Sequence, residues 1–233
     1  ETIDYGPCAF MDEYNSNKVF SSIDQTGRYA YINQPEIIRW NLACLASCLL
    51  PLIHDNEKES IALAQNAVDE FPDLYKSHWL KIFRNKLGLI KKHETDEKLI
   101  NNLLTLMEKN KTDFTLTFRS LSYSLLSDND KFKNFFSNQE DINHWINKWQ
   151  SRLSLEHSDK KNISTFIKTI NPAYIPRNHR IEEMITKALE GDFSFFDLLN
   201  KILATPFNDQ QEYQEYQKSP TESQIVKQTF CGT

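Results

Sequence analysis

Glycine is scarce in this sequence, with 5 Gly among 233 residues against a usual share of about 7%. β-Sandwiches, dinucleotide-binding units and phosphate-binding loops need glycine-rich turns, so this shortage favours helices. The four cysteines are too few for a disulfide framework in a chain of this length, and they lack the paired C-x-x-C spacing of a structural zinc site. Their number and spacing indicate a reducing compartment.

Long apolar runs and excess positive charge are also missing. The longest apolar run, residues 42–53, is shorter than the roughly 20 residues of a membrane helix and is interrupted by Ser47 and Pro51. The formal net charge is -5, so no overall positive field attracts nucleic acid or anionic lipid. We therefore expect no membrane span and no nucleic-acid partner. The first residues also lack the basic and apolar regions of a secretory signal, and we expect none.

Apolar residues recur with the helical period from Gln34 onward. At least eight such stripes follow, and the clearest runs from Ile142 to Leu153. The pattern predicts a mainly α protein with an irregular segment at 1–33, a helical body at 34–204 and a polar tail at 205–233. The tryptophans at the helical spacing are expected in the core: Trp79, Trp145 and Trp149.

Three local patterns predict finer features of the helices. Ser137 followed by Glu140 three residues later predicts a capping box, and Gly191 stands where a helix C-terminal cap belongs. Cys44 and Cys48 are four residues apart on an apolar helix, so we expect both to be buried.

The first segment contains a candidate metal ligand. Residues 4–7 read DYGP, so Asp4 stands between an apolar residue and a glycine turn. From the residues alone, an ordinary turn is the simpler interpretation. A carboxylate before a glycine turn is also what a nucleotide-bound magnesium ion needs, because the ion prefers oxygen ligands and shares its coordination with phosphate and water.

Taken in order, the motifs of this chain resemble the C-terminal half of the selenoprotein O family. They are DYGP at residues 4–7, GRYAYINQP at 27–35, NPAYIPRNH at 171–179 and a near-terminal Cys231. Each motif alone is modest, but their order and spacing are specific, and the resemblance covers essentially the whole chain.

The resemblance implies a protein-kinase-like C-lobe with a helical extension. Members of the family transfer AMP from ATP, bound in an inverted orientation, to Ser, Thr or Tyr hydroxyls of target proteins. Asp4 matches the family's metal-binding Asp and would hold Mg²⁺ or Mn²⁺ with ATP. The family's catalytic base and its ATP-positioning residues match nothing in this sequence, so the resemblance implies no catalytic residue here. It also implies a fragment that is inactive alone.

Some family features are less well matched. Many members pair a cysteine of the activation segment with the near-terminal one as a redox switch, and here only Cys8 is available to pair with Cys231. For Arg177, Asn178 and His179 the resemblance supplies no role, and capping of the helix near His179 is one interpretation. The resemblance implies a cytoplasmic protein in bacteria and a mitochondrial one in eukaryotes. Composition and periodicity fit a non-catalytic all-α interaction module equally well. The protein substrates and the oligomeric state are left open.

Overall fold

The computed structural model describes residues 9–127 and 130–229. Within these ranges the chain is mainly α-helical, as predicted, and contains no β-strand; Glu13 and Asp113 form an isolated antiparallel bridge. The division into segments 1–33, 34–204 and 205–233 stays a prediction. The α-helices of the described residues are α1 Gln34–Ile53, α2 Glu57–Asp69, α3 Phe71–Lys86, α4 Asp96–Asn110, α5 Phe114–Ser124, α6 Asp130–Lys133, α7 Gln139–Leu153, α8 Lys160–Ile170, α9 Asn178–Leu189 and α10 Ser194–Leu203.

The main hydrophobic core lies between α3, α4, α5, α7 and α8. Trp145 and Trp149 are buried there, and each indole N–H donates a hydrogen bond of 2.9 Å to a backbone carbonyl, that of Leu99 and of Leu87 respectively. Trp79 is partly buried and packs against the same core. Because a buried indole N–H must find an acceptor, these two bonds fix α7 against α3 and α4. The prediction of core tryptophans is confirmed.

The end of α3 approaches α8 closely at Gly88. This residue has a φ of +77°, and a Cβ atom there would lie 2.7 Å from Cγ2 of Ile163. Both the left-handed backbone and the lack of space require glycine. The shape of the turn after α3 therefore depends on the absence of a side chain.

A buried cluster of charged groups holds the loop that connects α3 to α4. Arg152 donates to Asp96 at 2.7 Å, to Glu156 at 2.7 Å and to the carbonyl of Lys91 at 2.6 Å. All three charged side chains are nearly inaccessible to solvent. Such charges are tolerated in a core only when they are paired and hydrogen-bonded, and here both conditions are met.

The polar tail is attached to the helical body. Arg119 and Lys168 bind the carboxylate of Asp209 at 2.6 and 2.8 Å, and the hydroxyl of Tyr123 donates to it as well. Burial alone raises the pKa of Asp209, but hydrogen bonds from Lys168, Tyr123 and Arg119 outweigh it and lower the pKa to about 2. The tail therefore lies against α5 and α8 through an ionised aspartate.

Of the two helix caps predicted from the sequence, the one at the end of α9 is confirmed and the one at the start of α7 is wrong. Gly191 has a φ of +87° and donates to the carbonyl of Ala188, so the predicted C-terminal cap is confirmed. The capping box at Ser137 is wrong. Asn138 caps α7 instead, since its side chain accepts from the backbone of Glu140 and Asp141, while Ser137 binds Asn110.

The outer side of α1 is exposed, which overturns the expectation of two buried cysteines. Cys44 and Cys48 are both exposed rather than buried, because α1 packs on α2 through another side and Ile37 is its one buried residue. The run Tyr31–Ile53 is also long and apolar enough, by length and composition alone, to cross a membrane. The apolar run 42–53 is only part of this segment, and the expectation of no membrane span stays a prediction. One such helix is weak evidence for a membrane span.

Candidate functional site

The residues predicted from the resemblance lie at the two ends of the chain. Asp4, Cys8 and Cys231 all fall outside the described residues. The first described residue is Ala9, five positions after Asp4. We define residues 9–33 as the head segment and describe the site through the residues that bind it.

Asn178 binds the head segment through a pair of backbone bonds. Its side-chain oxygen accepts from the N–H of Phe10 at 3.0 Å, and its side-chain amide donates to the carbonyl of Phe10 at 2.9 Å. An asparagine in this arrangement imitates a neighbouring strand, because it supplies one donor and one acceptor to the same residue. The backbone six residues after Asp4 is thus fixed to the start of α9.

Arg177 provides the second attachment. Its Nη1 lies 2.6 Å from Oδ1 of Asp12 and 2.6 Å from Oδ2 of Asp113, and its Nη2 donates to the carbonyl of Gln217 at 2.9 Å. Only 1% of the arginine side chain is exposed. Burial by itself lowers the pKa of Arg177, but Asp113 and Asp12 outweigh it and raise the pKa. The guanidinium stays charged and links the head segment, α5 and the tail.

Asp113 is the centre of this arrangement. Its Oδ1 caps α5 by accepting from the N–H of Leu116 at 2.8 Å, and its Oδ2 accepts from the hydroxyl of Ser219 at 2.7 Å. The head segment runs past it: the backbone N–H of Tyr14 donates to the carbonyl of Thr112, and the N–H of Phe114 donates to the carbonyl of Asp12. One carboxylate therefore binds the start of α5, the tail and Arg177, while the backbone on either side of it binds the head segment.

Arg177 and Asn178, from the motif at residues 177–179, bind the head segment rather than capping a helix. Arg177 occupies the N-cap position of α9, but its side chain makes no capping hydrogen bond. His179 is buried, and burial followed by the charge of Arg180 lowers its pKa, which favours the neutral imidazole. The capping interpretation is wrong, because Arg177 makes no capping hydrogen bond and the side chains of Arg177 and Asn178 bind residues far away in the sequence.

The second motif, at residues 27–35, folds into a compact turn. The carboxylate of Asp24 accepts from the backbone of Arg28 and Tyr29 at 2.9 and 2.8 Å, and Asn33 donates to the carbonyl of Gly27. The guanidinium of Arg28 then lies 5.1 Å from the ring centre of Trp40. The head segment is thereby joined to the first turns of α1.

The end of the described tail lies on the head segment. The backbone N–H of Ser22 donates to the carbonyl of Thr229 at 2.7 Å, and the hydroxyl of Thr229 donates to the carbonyl of Phe20 at 2.7 Å. Thr229 precedes Cys231 by two residues. The tail thus returns to the segment that the resemblance equates with the activation segment.

Sequence reasoning missed Asp12, Asp113 and Ser219 as members of this site. Their partner Arg177 is separated from Asp12 by 165 residues and from Asp113 by 64. No spacing rule connects residues so far apart. Within 9–127 and 130–229, no group of three or more His, Cys, Asp or Glu side chains is placed to hold a metal ion.

Comparison with known proteins identifies the class of protein first. The chain is 44% identical over 233 residues to a protein nucleotidyltransferase YdiU of Clostridium beijerinckii, and the matched region covers 100% of this chain and 46% of the relative. It is 45% identical over 235 residues to the protein of the same name from Nitrobacter hamburgensis, covering 100% of this chain and 46% of that relative. The relatives are thus protein nucleotidyltransferases, and the chain spans about half of their length.

The family is identified by a protein-family sequence model that matches most of the chain. The model described as protein adenylyltransferase SelO matches residues 1–204. The chain therefore belongs to the SelO family of protein nucleotidyltransferases, and the resemblance deduced from its motifs is confirmed.

Proposed function

We propose that this chain is part of an enzyme that transfers AMP from ATP to Ser, Thr or Tyr hydroxyls of other proteins, on a protein-kinase-like C-lobe. Family membership supports nucleotidyl transfer, and the motif order supports the finer assignment. In this reaction the hydroxyl oxygen attacks the α-phosphorus of ATP, the bond to the pyrophosphate oxygen breaks, and pyrophosphate leaves. The hydroxyl proton passes to a base that matches no residue of this sequence.

The attachment of the head segment to α9 is the observation that carries this proposal. Asn178 and Arg177 hold Phe10 and Asp12, which follow Asp4 by six and eight residues. A group that acts on a reacting phosphate must be held close to its working position, because small displacements cost much of the rate. The two attachments restrict how far the backbone after Asp4 can move.

Asp4 is the residue we assign to the metal ion. Its carboxylate offers the hard oxygen that Mg²⁺ or Mn²⁺ prefers, and the described residues offer no cluster that competes for the ion. When bound, the ion would neutralise negative charge on the triphosphate. Asp4 would supply one ligand and orient the triphosphate toward the incoming hydroxyl. We also propose that the 233-residue chain alone transfers no AMP, since the base and the ATP-positioning residues match nothing in it.

The test uses a chimera in which this chain replaces the matched residues of the C. beijerinckii relative. We expect Asp4→Ala in the chimera to lower the transfer of labelled AMP to protein by at least about 100-fold, as for other groups that stabilise transferring charge. The melting temperature should stay unchanged. The exposed Asp55→Ala serves as the control and should leave both quantities unchanged.

A loss of stability without a loss of AMP transfer would contradict the metal-binding role of Asp4. If Asp4 only stabilises a turn, Asp4→Ala costs about 0.5–2 kcal/mol of stability and transfer remains at the level of the unsubstituted chimera. That outcome would overturn the metal-binding role. Transfer of AMP by the 233-residue chain alone would overturn the second part of the proposal.

The cysteines are assigned separately. We propose that Cys231 is a free thiol and that a Cys8–Cys231 disulfide, the remaining form of the family's redox switch, does not form. Non-reducing peptide mapping of the oxidised chimera shows whether Cys8 and Cys231 are linked or free. A cross-linked peptide containing Cys8 and Cys231 would contradict the free-thiol assignment.

A further inference from the structure

The outer face of α1 carries an apolar stripe without charge. Between Trp40 and Ile53 no residue is charged, and Leu42, Leu45, Leu49 and Leu52 recur at intervals of three and four residues. All four are exposed, Leu52 to 83%. Helix faces in contact with water usually carry polar and charged side chains, so this stripe has the composition of a buried face.

A different side of α1 attaches the helix to α2. Ala43, Ala46 and Leu50 face α2 and line a groove with Ala64 and Val68 of that helix. Arg39 also pairs with Asp69 at the end of α2, at 3.0 Å. The leucine stripe is therefore not needed to dock α1 on α2, and within the described residues it stays exposed.

We propose that the outer face of α1 packs against the part of a SelO-family protein that has no counterpart in this chain. The relatives have about as many residues again as this chain matches. Leucines at alternating intervals of three and four are the pattern by which one helix packs on another. The inference rests on family membership and does not depend on AMP transfer.

The surroundings of the stripe argue against a lipid bilayer as its occupant. α2 runs along α1 and carries Glu57, Lys58 and Glu59 in its first turn. Placing α1 at membrane depth would bring the charges of α2 and the Arg39–Asp69 pair into hydrocarbon, which is costly. A protein surface can cover the leucines and leave these charges in water.

Cys44 and Cys48 make the proposal measurable, because both thiols are exposed beside the stripe. The experiment compares maleimide labelling of this chain alone with labelling of the chimera. Cys8, Cys231 and the relative's own cysteines are replaced by serine in both proteins. Leu189→Cys provides the control thiol, since Leu189 is a comparably exposed leucine, at 85%, on α9.

We expect Cys44 and Cys48 to be labelled readily in the chain alone and at least about 100-fold more slowly in the chimera. The control thiol should be labelled at the same rate in both. Leu45→Glu with Leu49→Glu should restore fast labelling in the chimera, because two charges cannot be buried in an apolar contact. The matched pair Leu126→Glu with Leu155→Glu, at two exposed leucines outside α1, should leave Cys44 and Cys48 protected.

Three outcomes would overturn the proposal. Equal labelling in chain and chimera means that nothing covers the face. Slow labelling of the chain alone, relieved on dilution, identifies a second copy as the occupant. Slow labelling only with phosphatidylcholine–phosphatidylserine vesicles identifies lipid.

If tryptophan fluorescence shows that the chimera is unfolded, this chain and the remaining part of the relative are co-expressed as separate polypeptides. The same protection is then expected, and the absence of a complex counts against the proposal. No arm measures AMP transfer, so the proposal and the proposed function fail independently.

Discussion

Replacement of Arg177 by methionine tests the attachment of the head segment most directly. Methionine keeps much of the length and volume of the side chain but removes the charge and every hydrogen bond. Asp113, of which 4% is exposed, would keep the hydroxyl of Ser219 and the N–H of Leu116 but lose its cation. Asp12, at 18% exposure, would lose the same partner but can turn toward water.

The expected loss follows from the burial of Asp113. Removing one partner of a buried ion pair costs roughly 3–5 kcal/mol, because the other charge is left without compensation. The two remaining donors to Asp113 place the expected loss near the low end, about 3 kcal/mol. For a chain of this size each kcal/mol lowers the melting temperature by roughly 2–4 °C, so the expected shift is about 6–12 °C.

Urea unfolding followed by the fluorescence of the buried tryptophans measures this loss. Arg180→Met is the matched control, because Arg180 pairs with Glu183 at 2.9 Å and Glu215 at 3.6 Å, and both carboxylates stay in contact with water when the arginine is removed. The expected loss is therefore smaller, about 1 kcal/mol. Arg177→Met combined with Asp113→Asn should recover part of the loss, since the uncompensated charge is gone. A loss for Arg177→Met no larger than that for Arg180→Met would refute the reasoning.

Three further predictions concern stability. Gly88→Ala should cost about 1–3 kcal/mol more than Gly191→Ala in urea unfolding, because both have positive φ but only Gly88 meets a neighbour, Ile163; equal losses would contradict this. Burial lowers the pKa of Lys86 to about 8, so the folded state resists its protonation. Between pH 8 and 10.5 the unfolded chain therefore binds more protons than the folded chain, and the stability contributed by this group rises with pH across that window. Lys86→Met should be more stable than the unsubstituted chain at pH 7, and this gain should be much smaller at pH 9.5. Asp209, with its pKa of about 2, contributes stability that is lost as the pH falls from about 4 to 2, so acid titration of Asp209→Asn should show a smaller loss there.

The sequence by itself determined the helices and the family. Apolar residues at the helical period must share one face, so the stripes predict helices whatever packs against them. Pro35 falls in the first turn of α1 and Gly191 follows the end of α9, because each suits a backbone geometry that is local to its own position. The order of the motifs was sufficient for the family because motif order is a property of the chain and not of its contacts.

Only the tertiary structure decided which side chains meet. Arg177 finds Asp12 and Asp113 across 165 and 64 residues, and no local rule relates such positions. Ser137 follows the capping pattern, yet Asn110 from another helix binds it and leaves the cap to Asn138. Periodicity marks a helix face as apolar but does not say what covers it. The leucine stripe of α1 therefore reads like a core stripe in the sequence, although nothing in the described residues covers it.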